Sequence, residues 1–303
     1  MQFVEPIWSK FKLETHESTL MEKFLFRIAK QWIAGNTASE ALQSAKTANK
    51  NGMNAIINKL GEHMTVKDQI NDTVSEYLAL VLNLHKFKIY GGISVKPTQV
   101  GLSKSTEECT CNLKKIIEES TSSQSFVWID MESSEYTDDT IKIYLNLFER
   151  YERIGIAIQA NLKRTEQDVK MLLGHGAKIR LVKGAYRESK KNAYKTRHEV
   201  DENYKKLTKM LFSYGNEFAI ATHDSTMIKL AMNLSKKRQR KFEFQMLKGI
   251  RDELKPVLVK SGFAVSEYIP YGTNWLPYSI RRLKERKRNI LLLGSSFLHS
   301  HRV

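Results

Sequence analysis

Cysteine is almost missing from this sequence. Cys109 and Cys111 flank a single threonine, too few for a disulfide framework or a four-ligand zinc site, and their spacing suits positions on a helix. That scarcity points to a reducing, cytosolic compartment. Proline is nearly as rare, with five residues scattered through 303. Without a Pro/Gly/Ser tract no linker is announced, and residues 1–303 read as a single domain, as a barrel of this length usually is. No run of about 18 apolar residues exists, and the nearest candidates, Tyr77 to Leu84 and Ile290 to Leu298, are too short to span a bilayer. The opening "MQFVEPIWSKFKLE" lacks the charged-then-apolar order of a secretory signal. Acidic residues are in deficit, 33 Asp and Glu against 49 Lys and Arg, for a formal charge of +16. The excess favours an anionic partner, but its sign cannot choose among nucleic acid, an acidic lipid surface and a small acid.

What the chain does have is a rhythm. Short apolar or β-branched runs begin at Asn54 ("NAIINKLGE"), Lys88 ("KIYGGISVK"), Phe126 ("FVWIDME"), Ile154 ("IGIAIQA"), Ala177 ("AKIRLVKGAY"), Phe218 ("FAIATHD"), Lys241 ("KFEFQML") and Ala264 ("AVSEYIPYG"). Between them lie stretches with helical spacing, such as "DDTIKIYLNLFERYER" and "VDENYKKLTKMLFSYG". Eight strands alternating with helices predict an α/β protein whose parallel sheet closes into a (β/α)8 barrel. Residues 1–50, rich in helix formers around "STLMEKFLFRIAKQW", are expected as helices packed outside it.

Polar residues stand at the carboxyl ends of these runs: Glu62, Lys96, Asp130, Gln159, Lys183 with Tyr186, His223 with Asp224, Gln245 and Tyr268. In a barrel that rim is where active sites are built. The stretch "RLVKGAY" is unusual because two fixed cations, Arg180 and Lys183, interrupt an otherwise buried strand. Three residues apart, they point to opposite faces and can serve one ligand only if the strand stops near Lys183 and turns over the mouth. The plain alternative puts Arg180 in a buried ion pair and Lys183 in solvent.

In order along the chain, "SVK" ending at Lys96, "IDME" from Ile129, "IQA" ending at Ala160, "RLVKGAY" from Arg180, "ATHD" from Ala221, "FEFQML" from Phe242 and "EYIPYG" from Glu267, followed by "LPYSIRRLKER", resemble the proline dehydrogenase family. The same barrel occurs as one domain of bifunctional proline utilisation flavoproteins. The resemblance implies a distorted (βα)8 TIM-type barrel with FAD across the strand ends. It also implies oxidation of L-proline to 1-pyrroline-5-carboxylate by hydride transfer, the first step of degradation to glutamate, with electrons passed to a quinone. "GHG" at 174–176 precedes a strand rather than following one, so no dinucleotide-binding fingerprint exists and FAD has to be held by the barrel itself.

By the same resemblance Lys96, Arg281 and Arg282 hold the proline carboxylate, a task suited to guanidinium forks with a third cation nearby. Adjacent arginines on a helix diverge by about 100°, so both are expected to reach one ligand only near the helix start. Glu285 is the expected i,i+4 partner of Arg281. Tyr186, Leu247, Tyr268 and Tyr278 match the wall around the proline ring. Asp130 and Arg180 match the catalytic residues. Beside Lys96 and Arg180, Asp130 is expected to orient cations or flavin, not to take a proton. Arg180 is expected near flavin N5, where a guanidinium stabilises negative charge that arrives with the hydride. Met131, Gln159, Arg180, Lys183, Gly184, Ala185, Thr222, His223 and Gln245 match flavin contacts, with Gly184 allowing close approach and Lys183 and His223 facing polar, anionic parts of the cofactor.

Two departures stand out: Asn161 follows "IQA" where relatives often carry an aromatic residue, and Pro97 follows Lys96. No second histidine lies at a strand end, so no metal is expected. A rival enzyme reading makes Lys183 a Schiff-base amine of an aldolase or lyase. A rival binding reading takes "KKRQRK", Lys236 to Lys241, as a nucleic-acid footprint, but aromatic interleaving there is poor and no nucleic-acid partner is expected. No stable protein partner is evident. A quinone acceptor would give the basic surface and the apolar tail "NILLLGSSFL" a use in peripheral contact with the inner membrane face.

Overall fold

The structure, a computed structural model, describes residue 23 and residues 25–283. Eight strands form at the eight apolar runs: β1 Asn54–Lys59, β2 Gly91–Val95, β3 Phe126–Ile129, β4 Ile154–Gln159, β5 Ile179–Val182, β6 Glu217–Ala221, β7 Lys241–Leu247 and β8 Ala264–Tyr271. Each pairs in parallel with the next, and β8 returns to β1, closing the barrel. β4 is buried at every position, as a strand covered on both faces must be.

The outer layer is helical: α1 Ala38–Lys50, α2 Lys67–Lys86, α3 Thr106–Ser122, α4 Thr137–Phe148, α5 Thr165–Gly174, α6 Arg197–Tyr214, α7 Ser225–Lys237 and α8 Lys255–Lys260. α2 shows the logic: Ile70, Val74, Tyr77, Val81 and Leu84 recur at helical spacing and are the face it buries. Thr37 with Glu40 and Thr196 with Glu199 form reciprocal caps that start α1 and α6. Asp224 starts α7 by accepting from the Thr226 amide.

The barrel departs from regularity at its seam. α1 packs against β1 and β8, the position a regular barrel gives to the helix after its last strand. The chain after β8 instead turns at Gly272, where φ is 127°, into a helical segment, residues 275–283. Its Trp275 and Tyr278 share a core with Ala29, Trp32, Ile33 and Leu60. Leu60 directly follows β1, and the Ala34 amide donates to the Pro270 carbonyl at 2.8 Å. Residues 25–34 and 275–283 therefore pack together beside the carboxyl ends of β1 and β8, and the second segment carries Arg281 and Arg282 to the mouth.

Candidate active site

Barrel closure decides which inward side chains meet. Arg180 on β5 is only 2% exposed. Its Nη2 donates to Asp130 Oδ1 at 2.6 Å and to Ser94 Oγ at 2.8 Å, and its Nη1 reaches Gln245 Oε1 at 3.4 Å. Asp130, just past β3, also accepts from Ser94 Oγ at 3.0 Å and from the Tyr268 hydroxyl at 2.9 Å. Burial first, and then the charge of Asp130, push the Tyr268 phenol well above its ordinary range, so it remains a neutral donor. The guanidinium lies 4.9 Å from the Trp128 ring and 5.6 Å from the Tyr268 ring. Room for that indole comes from Gly155, where a Cβ would stand 2.4 Å from a ring carbon. A buried cation is thus held by one carboxylate, two neutral acceptors and two aromatic faces.

β5 ends at Val182, and Lys183 leaves the strand for the rim. Its Nζ donates to Asp201 Oδ1 at 2.5 Å and Asp224 Oδ2 at 2.8 Å. Burial works to raise the Asp224 carboxyl, but the hydrogen bond and charge of Lys183 bring it below its ordinary value. Arg180 does form a buried ion pair, whereas Lys183 is bound between two carboxylates. That placement engages the amine an aldolase would need as its nucleophile.

A second cluster lies nearer the surface. Glu62 Oε1 is 3.7 Å from Lys96 Nζ and 3.6 Å from Arg281 Nη2. The Tyr186 hydroxyl bonds the same carboxylate, and burial with the charges of Glu62 and Glu132 raises its phenol. Pro97 causes no strain after Lys96, because it opens a short 3-10 turn, Pro97–Gln99, at a position that needs no amide hydrogen. Fully buried Glu132 fastens that turn, accepting from the Thr98 amide at 2.9 Å and the Thr98 hydroxyl at 2.6 Å. Gln159 Nε2 donates to the Glu132 carbonyl at 2.7 Å, and Met131 beside it is buried.

Arg281 and Arg282 do not stand at a helix start. The helical segment begins at residue 275, so they lie nearly two turns in, and the segment's course beside the mouth brings them to the site. Arg281 reaches Glu62, while the Arg282 guanidinium lies 5.2 Å from the Tyr278 ring. Glu285 lies outside the described residues, as do Arg286, Lys287, Arg288 and the tail from Asn289.

His223 is not a cation. Its Nε2 accepts from the Leu247 amide at 2.9 Å, which leaves the ring hydrogen on Nδ1. Burial, helped by the charges of Arg282, Lys255 and Arg251, lowers its pKa to about 3. It can offer a polar ligand a neutral donor, so the expectation that it faces anionic groups narrows to a hydrogen bond. Thr222 is buried beside it, and its hydroxyl accepts from the Asp224 amide at 3.1 Å.

β5 and the turn after β4 carry groups still to be matched. Arg180 Nε and Asn161 Oδ1 are buried, and among the described residues neither has a hydrogen-bond partner. Gly184, at φ 104°, leaves no room for a side chain, since a Cβ would stand 2.2 Å from Asn161 Oδ1. Gly184 and Ala185 are exposed. An unmatched donor on Arg180 and, separately, an unmatched acceptor on Asn161 beside the bare backbone of Gly184 suit a planar heterocycle whose edge alternates acceptors with a donor. Arg281 Nε is likewise buried and has no partner among the described residues.

Nothing in the sequence assigns Glu62 a role beyond its place in the rim pattern. Ser94 and Trp128 carried no signal, since a serine and a tryptophan inside strands read as packing. Three cations of the basic run from Lys236 to Lys241 are tied to the fold: Arg240 Nη2 donates to the Ser213 carbonyl at 3.0 Å, Arg238 bonds the Ser213 hydroxyl, and Lys241 pairs with Glu217 at 2.9 Å.

Known proteins bear on this arrangement. The family model for proline dehydrogenase matches residues 41–292. Proline dehydrogenase 2 of Bacillus subtilis is 33% identical over 279 residues, covering 88% of this chain and 92% of that one. Proline dehydrogenase of Deinococcus radiodurans is 29% identical over 310 residues, covering 97% and 99%. Among solved structures, proline utilization A from Bdellovibrio bacteriovorus, inactivated by N-propargylglycine, superposes with a TM-score of 0.81 at 26% identity. That match takes in 88% of this chain but only 33% of that protein. A matched family spanning the whole barrel, relatives of the same length, and a rim that gathers Lys96, Asp130, Arg180, Tyr268 and Arg281 agree: this chain belongs to the proline dehydrogenase family, enzymes of the first step of proline breakdown.

Proposed function

We propose that the enzyme oxidises L-proline to 1-pyrroline-5-carboxylate with FAD as hydride acceptor and passes the electrons to a quinone. The observation that carries this reading is Arg180, a buried guanidinium with both terminal nitrogens engaged and its Nε without a partner among the described residues. Met131, Gln159, Lys183, Gly184, Ala185, Thr222, His223 and Gln245 would hold the cofactor with it. FAD, when bound, supplies the two-electron acceptor that no side chain here can provide.

The protein's own contribution is binding, orientation and charge. Oxidation removes a hydride from the ring carbon beside nitrogen and a proton from the nitrogen. Arg180 presents positive charge where negative charge gathers during transfer, and Asp130 and Ser94 hold it there beforehand, so little reorganisation is needed. Asp130, accepting from three donors, acts as an anchor rather than a base. Lys96, Arg281 and Arg282 take the substrate carboxylate, and Glu62 keeps the first two cations together until it arrives. Tyr186, Leu247, Tyr268 and Tyr278 exclude water and fix the ring at near-attack distance.

The quinone acceptor rests on family membership and the charge excess. Among the described residues no helix is long and apolar enough to cross a membrane, and a cytosolic enzyme with peripheral contact at the inner face is the reading we carry. The test is anaerobic mixing of purified protein with proline. Bound flavin should bleach, and a quinone analogue should restore its colour. Protein that purifies without flavin, or whose flavin ignores proline, sinks the proposal.

A further inference from the structure

One half-buried carboxylate inside the barrel has no part in the chemistry above. Glu243 and Gln245 lie two apart on β7, so both point to the barrel interior. Gln245 Nε2 donates to Glu243 Oε1 at 2.5 Å, Ser266 Oγ donates to Glu243 Oε2 at 2.5 Å, and Gln245 Oε1 accepts from Arg180 Nη1. The chain of contacts runs from β8 through β7 to the guanidinium on β5.

We propose that Glu243 is a positioning residue for Arg180, acting through the amide of Gln245. A glutamine amide has two unlike ends, and only its oxygen can face a guanidinium, which has donors alone. Glu243 Oε1 accepts on the other side and so draws the NH2 end, turning the oxygen toward Arg180; burial raises the Glu243 carboxyl above its ordinary value, and a proton held on Oε2 leaves that acceptor in place. Asp130 and Ser94 hold one terminal nitrogen; Gln245 holds the other. With both fixed, the plane of the guanidinium is set, and with it the direction of Nε. A cavity of about 340 Å3 enters the amino-terminal end of the barrel and is lined by Glu243, Ser266, Trp128, Phe126 and Phe242. It opens beside Glu243 on the side away from the active-site mouth.

The inference rests on the reading of Arg180 as the cation facing flavin, and the experiment separates the two. Wild type, E243L, Q245L and the double variant E243L/Q245L are compared by flavin midpoint potential, flavin affinity and rate of bleaching by proline. Each single variant should lower the potential and slow bleaching by about tenfold, the effect of one lost orienting hydrogen bond. The double variant should lose no more than either single one, because both break the same link. E243Q, which can still accept from Gln245 Nε2, should recover most of the rate. Glu243→Ala, whose lost volume opens onto the cavity, is read the same way if the leucine variant does not fold. Unchanged potentials and rates, fully additive losses, or a raised potential in E243L, as expected from merely removing a nearby negative charge, would overturn the assignment. A wild type that binds no flavin overturns the flavin reading instead.

Discussion

Two charged clusters share the barrel mouth and are built to opposite specifications. Around Arg180 the contacts are short, 2.6 Å to Asp130 and 2.8 Å to Ser94, and the guanidinium is almost wholly buried. Around Glu62 the ion pairs are long, 3.6 Å to Arg281 and 3.7 Å to Lys96, and the Glu62 side chain is 23% exposed. Removing a partner from the first leaves a charge in a low-dielectric interior. Removing one from the second leaves a charge that water can still reach. The first cluster is therefore rigid preorganisation, and the second is a set of cations that can exchange one carboxylate for another.

The strongest way to break the first cluster is Arg180→Met. Hydride transfer should slow by about 1000-fold, as when a preorganised charge is removed, and the flavin potential should fall. Rapid-mixing reduction and a redox titration measure both. A variant that keeps wild-type values for each would mean that Arg180 serves only the fold.

Stability gives the next test. Asp130→Asn keeps the shape but removes the counter-charge of a buried guanidinium, and denaturant titration should show a loss of about 3 kcal/mol. Glu62→Gln, the matching change in the looser cluster, should cost under about 1 kcal/mol. Equal losses would erase the distinction between the two clusters.

Substrate binding tests the second cluster. Arg281→Met and Arg282→Met should each raise the KM for proline, by a loss of about 2 kcal/mol in kcat/KM. The flavin potential should stay near wild type. If KM is unchanged in both variants, neither residue belongs to the carboxylate site.

The last test concerns His223, whose effect is confined to acid pH. Its pKa falls from an ordinary 6.5 to about 3, so in that interval the unfolded chain binds a proton that the folded chain refuses. This contribution to stability is complete above pH 6.5 and is lost as the pH falls toward 3. The loss approaches about 1.4 kcal/mol for each pH unit within the interval. His223→Gln retains an acceptor for the Leu247 amide and should flatten the acid limb of stability by one proton. An unchanged slope would place a charged imidazole in the fold.

The strands and the mouth differed in how far they could be read beforehand. Parallel barrel strands are covered on both faces, so "IGIAIQA" and "FAIATHD" stand out as continuous apolar runs. Arg180 stood out because a cation inside such a run needs a reason. Trp128 had no such contrast, since an indole in a strand looks like core. Glu62 was visible as a polar strand-end residue, but nothing local said that Arg281, more than two hundred residues later, would be its partner. The two arginines were expected at a helix start. Their real approach depends on where the segment from residue 275 lies, which its own spacing does not encode.

By itself the sequence determined the elements, their order and the residue types at each strand end, because periodicity and burial are local consequences of composition. The tertiary structure decided the partnerships. Closing β8 onto β1 sets Tyr268 on Asp130 and lets Glu243, Gln245 and Arg180 meet across the interior. Which oxygen faces which nitrogen depends on barrel geometry, and no single segment contains that information.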